Sequence, residues 1–514
     1  MTAAEPDGPT QDVVIVGGGL AGMAAALGLL ERGCGVTLLD ADVRLGGKAG
    51  SPSSGPGHDD HGYHVFPTWY LNIWRLVDQL GIRDRFIDCV DFVHLRPGEF
   101  PTFIVFRDLN SPAALWHNLM SALMPPAEIL LFYYSSLDLA SQPYRYRSFL
   151  DRISVSGFIR SRFYRTEDLA LANQEFILKG LSVPSYELSA MTLRNVIRLW
   201  LSYPRPMYRI LNGDMQENFI SPIEQRLRDF GCTIRTSHQL ERIEVSGNKV
   251  TALHIRDLTG DTVHRLQVGE VICAIPHERL AGLVDDEVYR AAPDLANVRY
   301  LQSRPMASLD IYLTDKMEGL PRFHVNCIDS RYGLSFIDVS QTWPTLKTSL
   351  LQTIASDFTP LVGLSEEAAV VAILADLRRY LPGLERHNIS RTVFQPHVLQ
   401  PLFSNEVGSW AFRPDAGTGL ENFHLAGDYC RSPVDIVCQE GAVITGLRAA
   451  EVVRQRLGLE SPVEILDAAV LPPWLLATAK LALLPAAVFA KALTMFEGQR
   501  TPTAGGDGFG SKPA

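Results

Sequence analysis

Residues 13–40 read VVIVGGGLAGMAAALGLLERGCGVTLLD, and this stretch sets the fold. The apolar run 13–16 predicts a buried strand that stops at Gly17. Residues 20–30 predict a helix ended by Gly33, and 36–39 a second strand that ends in Asp40. Between strand and helix, Gly17, Gly19 and Gly22 keep the G-x-G-x-x-G spacing. Gly17 permits the tight turn, Gly19 lets backbone approach a pyrophosphate, and Gly22 permits close helix packing, while the helix start offers unpaired N–H groups to phosphate. Asp40, 18 residues beyond Gly22, stands where an acid accepts hydrogen bonds from an adenosine ribose, and an acid there favours an unphosphorylated ribose. The fold class is therefore α/β, with a Rossmann-like dinucleotide-binding unit at the N-terminus.

A second block fits the same unit from roughly 400 residues further on. NFHLA at 422–426 predicts a short strand, Gly427, Asp428 and Tyr429 turn the chain, and 440–453 predicts a helix that opens with Gly441 and carries Gly446. An acid between a strand end and a helix start can fix a polyol hydroxyl or a phosphate-linked region, and glycines let a ligand or neighbouring backbone come close. In the middle of the chain, 213–228 predicts a helix with Met215 and Phe219 on its apolar side. Short strands follow at 233–235, 241–245 and 250–255, then an apolar strand at 271–275 closed by Pro276.

The intervening pieces carry helical patterns at 113–132, interrupted by Pro125 and Pro126, and at 186–200, then strands at 307–313 and 332–339 and a helix at 366–381. Helices laid beside a sheet in this way predict an elongated, largely apolar cavity, or equally an ordinary core.

With 514 residues the chain exceeds a single hydrophobic core, and 46% hydrophobic with 20% charged residues excludes compositional disorder. The net charge of -10 supplies no basic field, so nucleic acid is not an expected partner. Cys34, Cys89, Cys232, Cys273, Cys327, Cys430 and Cys438 are scattered without short paired spacing, which predicts reduced thiols in a cytosolic compartment and no metal site. The opening MTAAEPDGPTQD lacks a basic region followed by an apolar run, so no secretory leader is expected.

Four blocks carry a resemblance: GGKAGS at 46–51, HGYHVFPTWYLNIWRLVDQLGI at 61–82, LNGDMQENFISPI at 211–223 and LAGDYCRSPVDIVCQEGAVITG at 425–446. The chain resembles the flavoprotein superfamily of amine oxidases, protoporphyrinogen oxidases and carotenoid desaturases. Within it, the likeness is to phytoene and zeta-carotene desaturases and the related hydroxysqualene dehydroxylases. The N- and C-terminal blocks are the specific ones, and Lys48 after the paired glycines is more like the desaturase branch. The resemblance implies FAD as resident cofactor, with Arg44, Gly46, Gly47 and Lys48 beside it, a backbone amide at 242 to Ile243 near the adenine, Gly427 and Asp428 at the phosphate and ribityl part, and Gly441 to Gly446 at the flavin end. Two segments depart from the pattern. The 51–62 loop is rich in glycine, proline and histidine, and YCRSPVDIVCQEG replaces features of the plant desaturases, which leaves phytoene unfixed as the substrate.

The resemblance also implies the chemistry, a hydride leaving a C–H bond for flavin N5 and a proton leaving the adjacent carbon. No G-x-S-x-G elbow, H-E-x-x-H helix or Walker A loop is present, so hydrolase, zinc-protease and nucleotide-hydrolysing classes lack their motifs. His64, Tyr63, Tyr429 and Glu440 are the polar candidates for proton acceptance near the flavin-facing loops. The substrate is expected to be lipophilic and isoprenoid-like, with quinone or oxygen as electron acceptor. A flavin amine oxidase, a hydroxysqualene dehydroxylase-like enzyme and a non-catalytic flavin-binding protein are the alternatives.

The expected division is a discontinuous FAD-binding domain of 1–85, 206–280 and 401–458, an inserted mixed α+β substrate region of 86–205 and 281–400, an apolar helical tail at 459–500, and a flexible C-terminus at 501–514. In the tail, LPPWLLATAKLALLPAAVFAKALTM at 471–495, the charges Lys480 and Lys491 return to nearly one helical face. That predicts an interfacial helix on the cytoplasmic side of a membrane surface with both ammonium groups among headgroups, as one helix or two joined at Pro485; spanning the bilayer or packing on the protein are the alternatives.

Overall fold

The computed structural model describes residues 11–51, 53–54, 57–107, 111–143, 147–203, 205–384, 388–396 and 401–500, so the expectation for 501–514 lies outside the described residues. Strand β1 (Gln11–Val16), helix α1 (Leu20–Leu30) and strand β2 (Val36–Leu39) form as the apolar runs require. β1 lies parallel between β2 and Thr262–Cys273; Thr233–Arg235 extends the sheet beyond β2, and Phe423–Leu425 pairs parallel with Thr262–Cys273. The far half of Thr262–Cys273 leaves this parallel layer for an antiparallel meander with Lys249–Asp257 and His238–Ser246. α1 is buried along its whole length because the helix Gln439–Arg456 covers its outer side. The contact is backbone-close: a Cβ on Gly446 would lie 2.1 Å from the Ala21 carbonyl oxygen.

A second sheet runs in the order Ile389–Pro396, Ala307–Leu313, Leu350–Ala355, Leu334–Asp338, Val325–Cys327, Phe92–Leu95, Ile104–Phe106. One face packs on the helix Glu366–Leu377 through Leu309, Ile311, Leu351, Phe336 and Ile373. The other face carries Ser308, Asp310, Gln352 and Ser335. It also carries Ile337, Leu350 and Ile354, of which Ile337 and Leu350 are buried in a further apolar cluster with Tyr208 and Trp343. The helix expected at 213–228 forms as a π-turn, Gln216–Ile220, followed by Ser221–Asp229. The Met215 N–H donates to Asp60, and the Gln216 side chain accepts from Ser51, which ties this turn to the loop after the paired glycines. Pro125 and Pro126 break 113–132 into Pro112–Met120 and Pro126–Ala140, as expected.

The tail differs from the sequence-based expectation. Pro473–Arg500 is one helix that continues through Pro485. It packs on Pro126–Ala140, burying Leu476, Ala487 and Ala490. Both lysines bond to the protein: Lys480 turns inward to pair with Asp138 at 3.2 Å, and Lys491 donates to the exposed Arg165 carbonyl at 2.5 Å. Lys480 is thereby drawn to a recessed carboxylate rather than left free for lipid headgroups, while Lys491 meets an exposed loop carbonyl. What faces outward is apolar: Trp474, Leu481, Phe489 and Phe496 are 69, 64, 63 and 65% exposed. Pro473–Phe496 is also long and apolar enough to cross a membrane.

Candidate functional site

The glycine turn brings two distant loops together. Gly17, at φ +108°, donates to the Leu39 carbonyl, and a Cβ there would lie 2.6 Å from the Ala274 carbonyl oxygen. Gly22 is tighter, with a notional Cβ 1.8 Å from the Gly17 oxygen. Gly19 differs from both. Its φ is −74°, open to any residue, and a Cβ would meet nothing nearer than Gly47 Cα at 3.8 Å. The protein itself does not require glycine at 19, so the open ground above this uncapped helix start suits a ligand that approaches the backbone.

Asp40 binds the turn from below. Its carboxylate accepts from Gly18 N at 2.5 Å and Asp42 N at 2.7 Å, and burial raises its pKa against those two bonds. Each oxygen keeps acceptor capacity for a ribose hydroxyl. Gly46, at φ +126°, donates to the Gly18 carbonyl at 2.9 Å and pairs with Gly19, while Gly47 sits against Gly19. Arg44 is half-buried in the same loop. Lys48 has its ammonium buried without a hydrogen-bond partner among the described residues, and its charge reaches His277 and Glu278.

The C-terminal block closes on the same place. Gly427, at φ +146°, exchanges hydrogen bonds with Thr445 at 3.0 Å, and Asp428 is half-buried beside it. Tyr429 is fully buried, its hydroxyl has no nitrogen or oxygen partner among the described residues, and its ring meets that of His277 at 5.7 Å. Burial lifts the phenol well above its ordinary pKa, so it is a donor at neutral pH rather than the proton acceptor expected. His277 is kept neutral by burial and meets Ser303 at 2.8 Å. Arg413, also buried, pairs with Asp435 at 2.6 Å and donates to the carbonyls of Asp428, Tyr429 and Cys430, which fixes the course of this loop.

Lys48 Nζ and Tyr429 Oη, both beside His277, are thus buried polar atoms left without nitrogen or oxygen partners among the described residues. Native interiors rarely leave such atoms unmet. With the bare backbone at Gly19 and the turn acid Asp40, this donor and acceptor set fits a dinucleotide whose ring carries polar edges.

Other candidates take different places. Glu440 accepts from Asn72 N at 2.9 Å, Asn72 Nδ2 at 2.7 Å and Ile73 N at 3.0 Å. It therefore caps helix α2 (Leu71–Leu80), with burial raising its pKa to about 7. A carboxylate engaged three times in a helix cap is structural, which corrects its assignment to proton transfer. Tyr63 likewise donates to Ser335 at 2.7 Å, stacks on His324 at 5.5 Å, and is held in its phenol form by burial. It fastens the 59–64 loop to the second sheet and is not a proton acceptor. His64 lies in that loop with its ring 4.7 Å from His61. Gly446 serves the α1 contact, Gly441 lies against the Ile436 carbonyl at the helix start, and Ile243 is buried on the edge strand His238–Ser246 opposite Leu253.

Arg413, His277 and Asp310 lie outside the quoted blocks and stand in no motif. Only the position of His277 just past Pro276, at the end of a core strand, offered a hint.

A profile described as "Flavin containing amine oxidoreductase" matches residues 20–454. The chain is 24% identical to a zeta-carotene desaturase of Synechocystis sp. over 86% of its own length and 96% of that protein. It is 23% identical to a 15-cis-phytoene desaturase of Solanum lycopersicum, over 86% and 78% respectively. Among solved structures, cyclohexylamine oxidase from Brevibacterium oxydans superposes with a TM-score of 0.65 at 17% identity, covering 88% of this chain and 100% of that one.

Proposed function

This chain belongs to the flavin containing amine oxidoreductase family, a group of FAD-dependent oxidoreductases, and from that premise we propose that it binds FAD and oxidises a lipophilic, isoprenoid-like substrate. FAD, when bound, supplies N5 as hydride acceptor. The division into 1–85, 206–280 and 401–458 for cofactor, and 86–205 and 281–400 for substrate, belongs to this proposal. Gly17, Gly19, Gly22 and Asp40 would hold the adenosine end, with the backbone at Ile243 beside the base; Arg44, Gly46, Gly47, Lys48, Gly427, Asp428 and Gly441 would line the pyrophosphate and ring. His64 remains the candidate for ordering the substrate side.

The observation that carries the lipophilic reading is the outward apolar face of Pro473–Arg500, which suits a surface resting on lipid where a bilayer-dissolved substrate resides. The relatives named as carotene and phytoene desaturases agree with it, and quinone or oxygen would reoxidise the cofactor. The deciding experiment is anaerobic bleaching of the purified flavoprotein by a panel of isoprenoids, amines and sterols. Bleaching by isoprenoids is expected, and bleaching by amines alone would overturn the reading.

The triple change Leu481→Glu, Phe489→Glu and Phe496→Glu alters the outward face and leaves the contacts to Pro126–Ala140 intact. It is expected to abolish most co-sedimentation with liposomes and to leave the melting temperature nearly unchanged. Equal liposome binding by both proteins would remove this helix as the membrane contact.

Glu440→Gln keeps one acceptor oxygen for three donors. Its expected effect is a loss of about 1–3 kcal/mol of stability with an unchanged rate of flavin reduction. A melting temperature equal to wild type with reduction slowed tenfold or more would return Glu440 to the chemistry.

A further inference from the structure

Along Ala307–Leu313 the side chains alternate. Ala307, Leu309, Ile311 and Leu313 enter the apolar cluster under Glu366–Leu377, so Ser308, Asp310 and Tyr312 lie on the opposite face. The register sets Asp310 across from Gln352 and Ser308 across from Ile354, with Ser335 opposite Ile354 on the next strand.

Residues 59–64 cover this face. Gly62, at φ +92°, lies so close that a Cβ would come 2.8 Å from Ile354 Cγ1. Arg391 pairs with Asp59 at 2.6 Å, Tyr312 donates to Asp59, and the Gln395 amide donates to the Asp60 carbonyl at 3.1 Å. Asp60 in turn accepts from the Ser51 hydroxyl and from Met215 N. The face is therefore joined through Asp60, by two hydrogen bonds, to Ser51 just after the paired-glycine turn.

Within this joinery three side chains are unmet. Ser308 Oγ, both carboxyl oxygens of Asp310, and Gln352 Nε2 have no hydrogen-bond partner among the described residues, and each residue is 1% exposed. Asp310 and Gln352 are cross-strand neighbours, yet they do not bond each other. Burial, and then the charges of Asp60 and Asp59, hold the Asp310 carboxyl in its neutral form. Among the described residues no group of three or more His, Cys, Asp or Glu side chains is placed to hold a metal. The set consists of an acid that both donates and accepts, an amide that donates and a hydroxyl that does either. That is complementary to an uncharged oxygen.

We propose that Ser308, Asp310 and Gln352 form a recognition site for a hydroxyl group carried by the substrate, so that this protein selects an oxygen-bearing isoprenoid over a pure hydrocarbon. The proposal rests on the isoprenoid reading above.

The test is equilibrium binding of geranylgeraniol, and of the hydrocarbon with the same skeleton, to the full-length FAD-loaded protein in detergent micelles, followed by tryptophan fluorescence. Wild type is expected to favour the alcohol by about tenfold. Asp310→Leu should erase that preference and leave hydrocarbon affinity unchanged. Asp310→Asn should retain most of it, because an amide still donates and accepts. Should Asp310→Leu fail to fold, Gln352→Leu carries the same comparison. A preference that survives in the leucine variants would show that the trio holds only solvent, and the proposal falls. It also falls if Asp310→Asn loses as much as Asp310→Leu while geranylgeranylamine binds more tightly than the alcohol, since Asp310 would then act as a charge. Equal binding of both ligands by wild type refutes the hydroxyl site and leaves the isoprenoid reading standing. Binding of neither refutes both.

Discussion

Arg413→Met is expected to lower the melting temperature by roughly 3–5 °C and to release the flavin. Arg413 is almost wholly buried, its guanidinium pairs with Asp435, and it donates to three consecutive carbonyls at Asp428, Tyr429 and Cys430. Removing it takes the counter-charge from the Asp435 carboxylate, which is 2% exposed and keeps the neutral Asn195 amide at 3.1 Å, and releases the loop that carries Asp428. Breaking a buried pair from one side costs about 3–5 kcal/mol, because the remaining charge is left without compensation. The double change Arg413→Met with Asp435→Leu should recover part of the melting temperature, since it removes the buried carboxylate, but it should not restore flavin content. Thermal melting and flavin absorbance after gel filtration check both statements. A single variant with wild-type melting and full flavin would show that the clamp orders nothing.

Gly22→Val and Gly19→Val are expected to fail in different ways, although both fall in one motif. At Gly22 a Cβ would stand 1.8 Å from the Gly17 carbonyl oxygen, and the atom in its way is backbone of the turn that closes the sheet. The Gly22 variant should therefore be largely insoluble. At Gly19 the backbone accepts a side chain and the nearest protein atom is 3.8 Å away. The Gly19 variant should fold with the melting temperature of the flavin-stripped wild type and carry little or no flavin, its affinity lowered at least tenfold. Expression yield, melting and flavin content separate the two. A soluble, flavin-replete Gly19→Val would refute the placement of the cofactor over this turn.

Much of this molecule was legible in its sequence. β1, α1 and β2 are short-range features, set by apolar runs and glycines within thirty residues, and they form as their patterns require. The strand Ala307–Leu313 and the break at Pro125 and Pro126 are equally local. Residue identity also marked where the two halves of the candidate cofactor site lie, because glycine and acid at strand ends have few other uses.

The roles of individual polar side chains were not legible. Lys480 and Lys491 share a helical face, which composition alone assigns to lipid headgroups, yet Asp138 lies 342 positions away in sequence and takes one of them inward. Glu440 resembled an acid beside a flavin until α2, 368 positions distant, presented its N–H groups to it. Asp310 sits in a strand whose alternation was readable, but not the residues that would cover its face or leave it without a partner. Backbone periodicity and steric need are properties of neighbours along the chain, so the sequence by itself determined the elements, the fold class and the family. Whether a charge is paired, capped or left waiting depends on which distant groups the packed sheets and helices bring within 3 Å or so, and only the tertiary structure decided that.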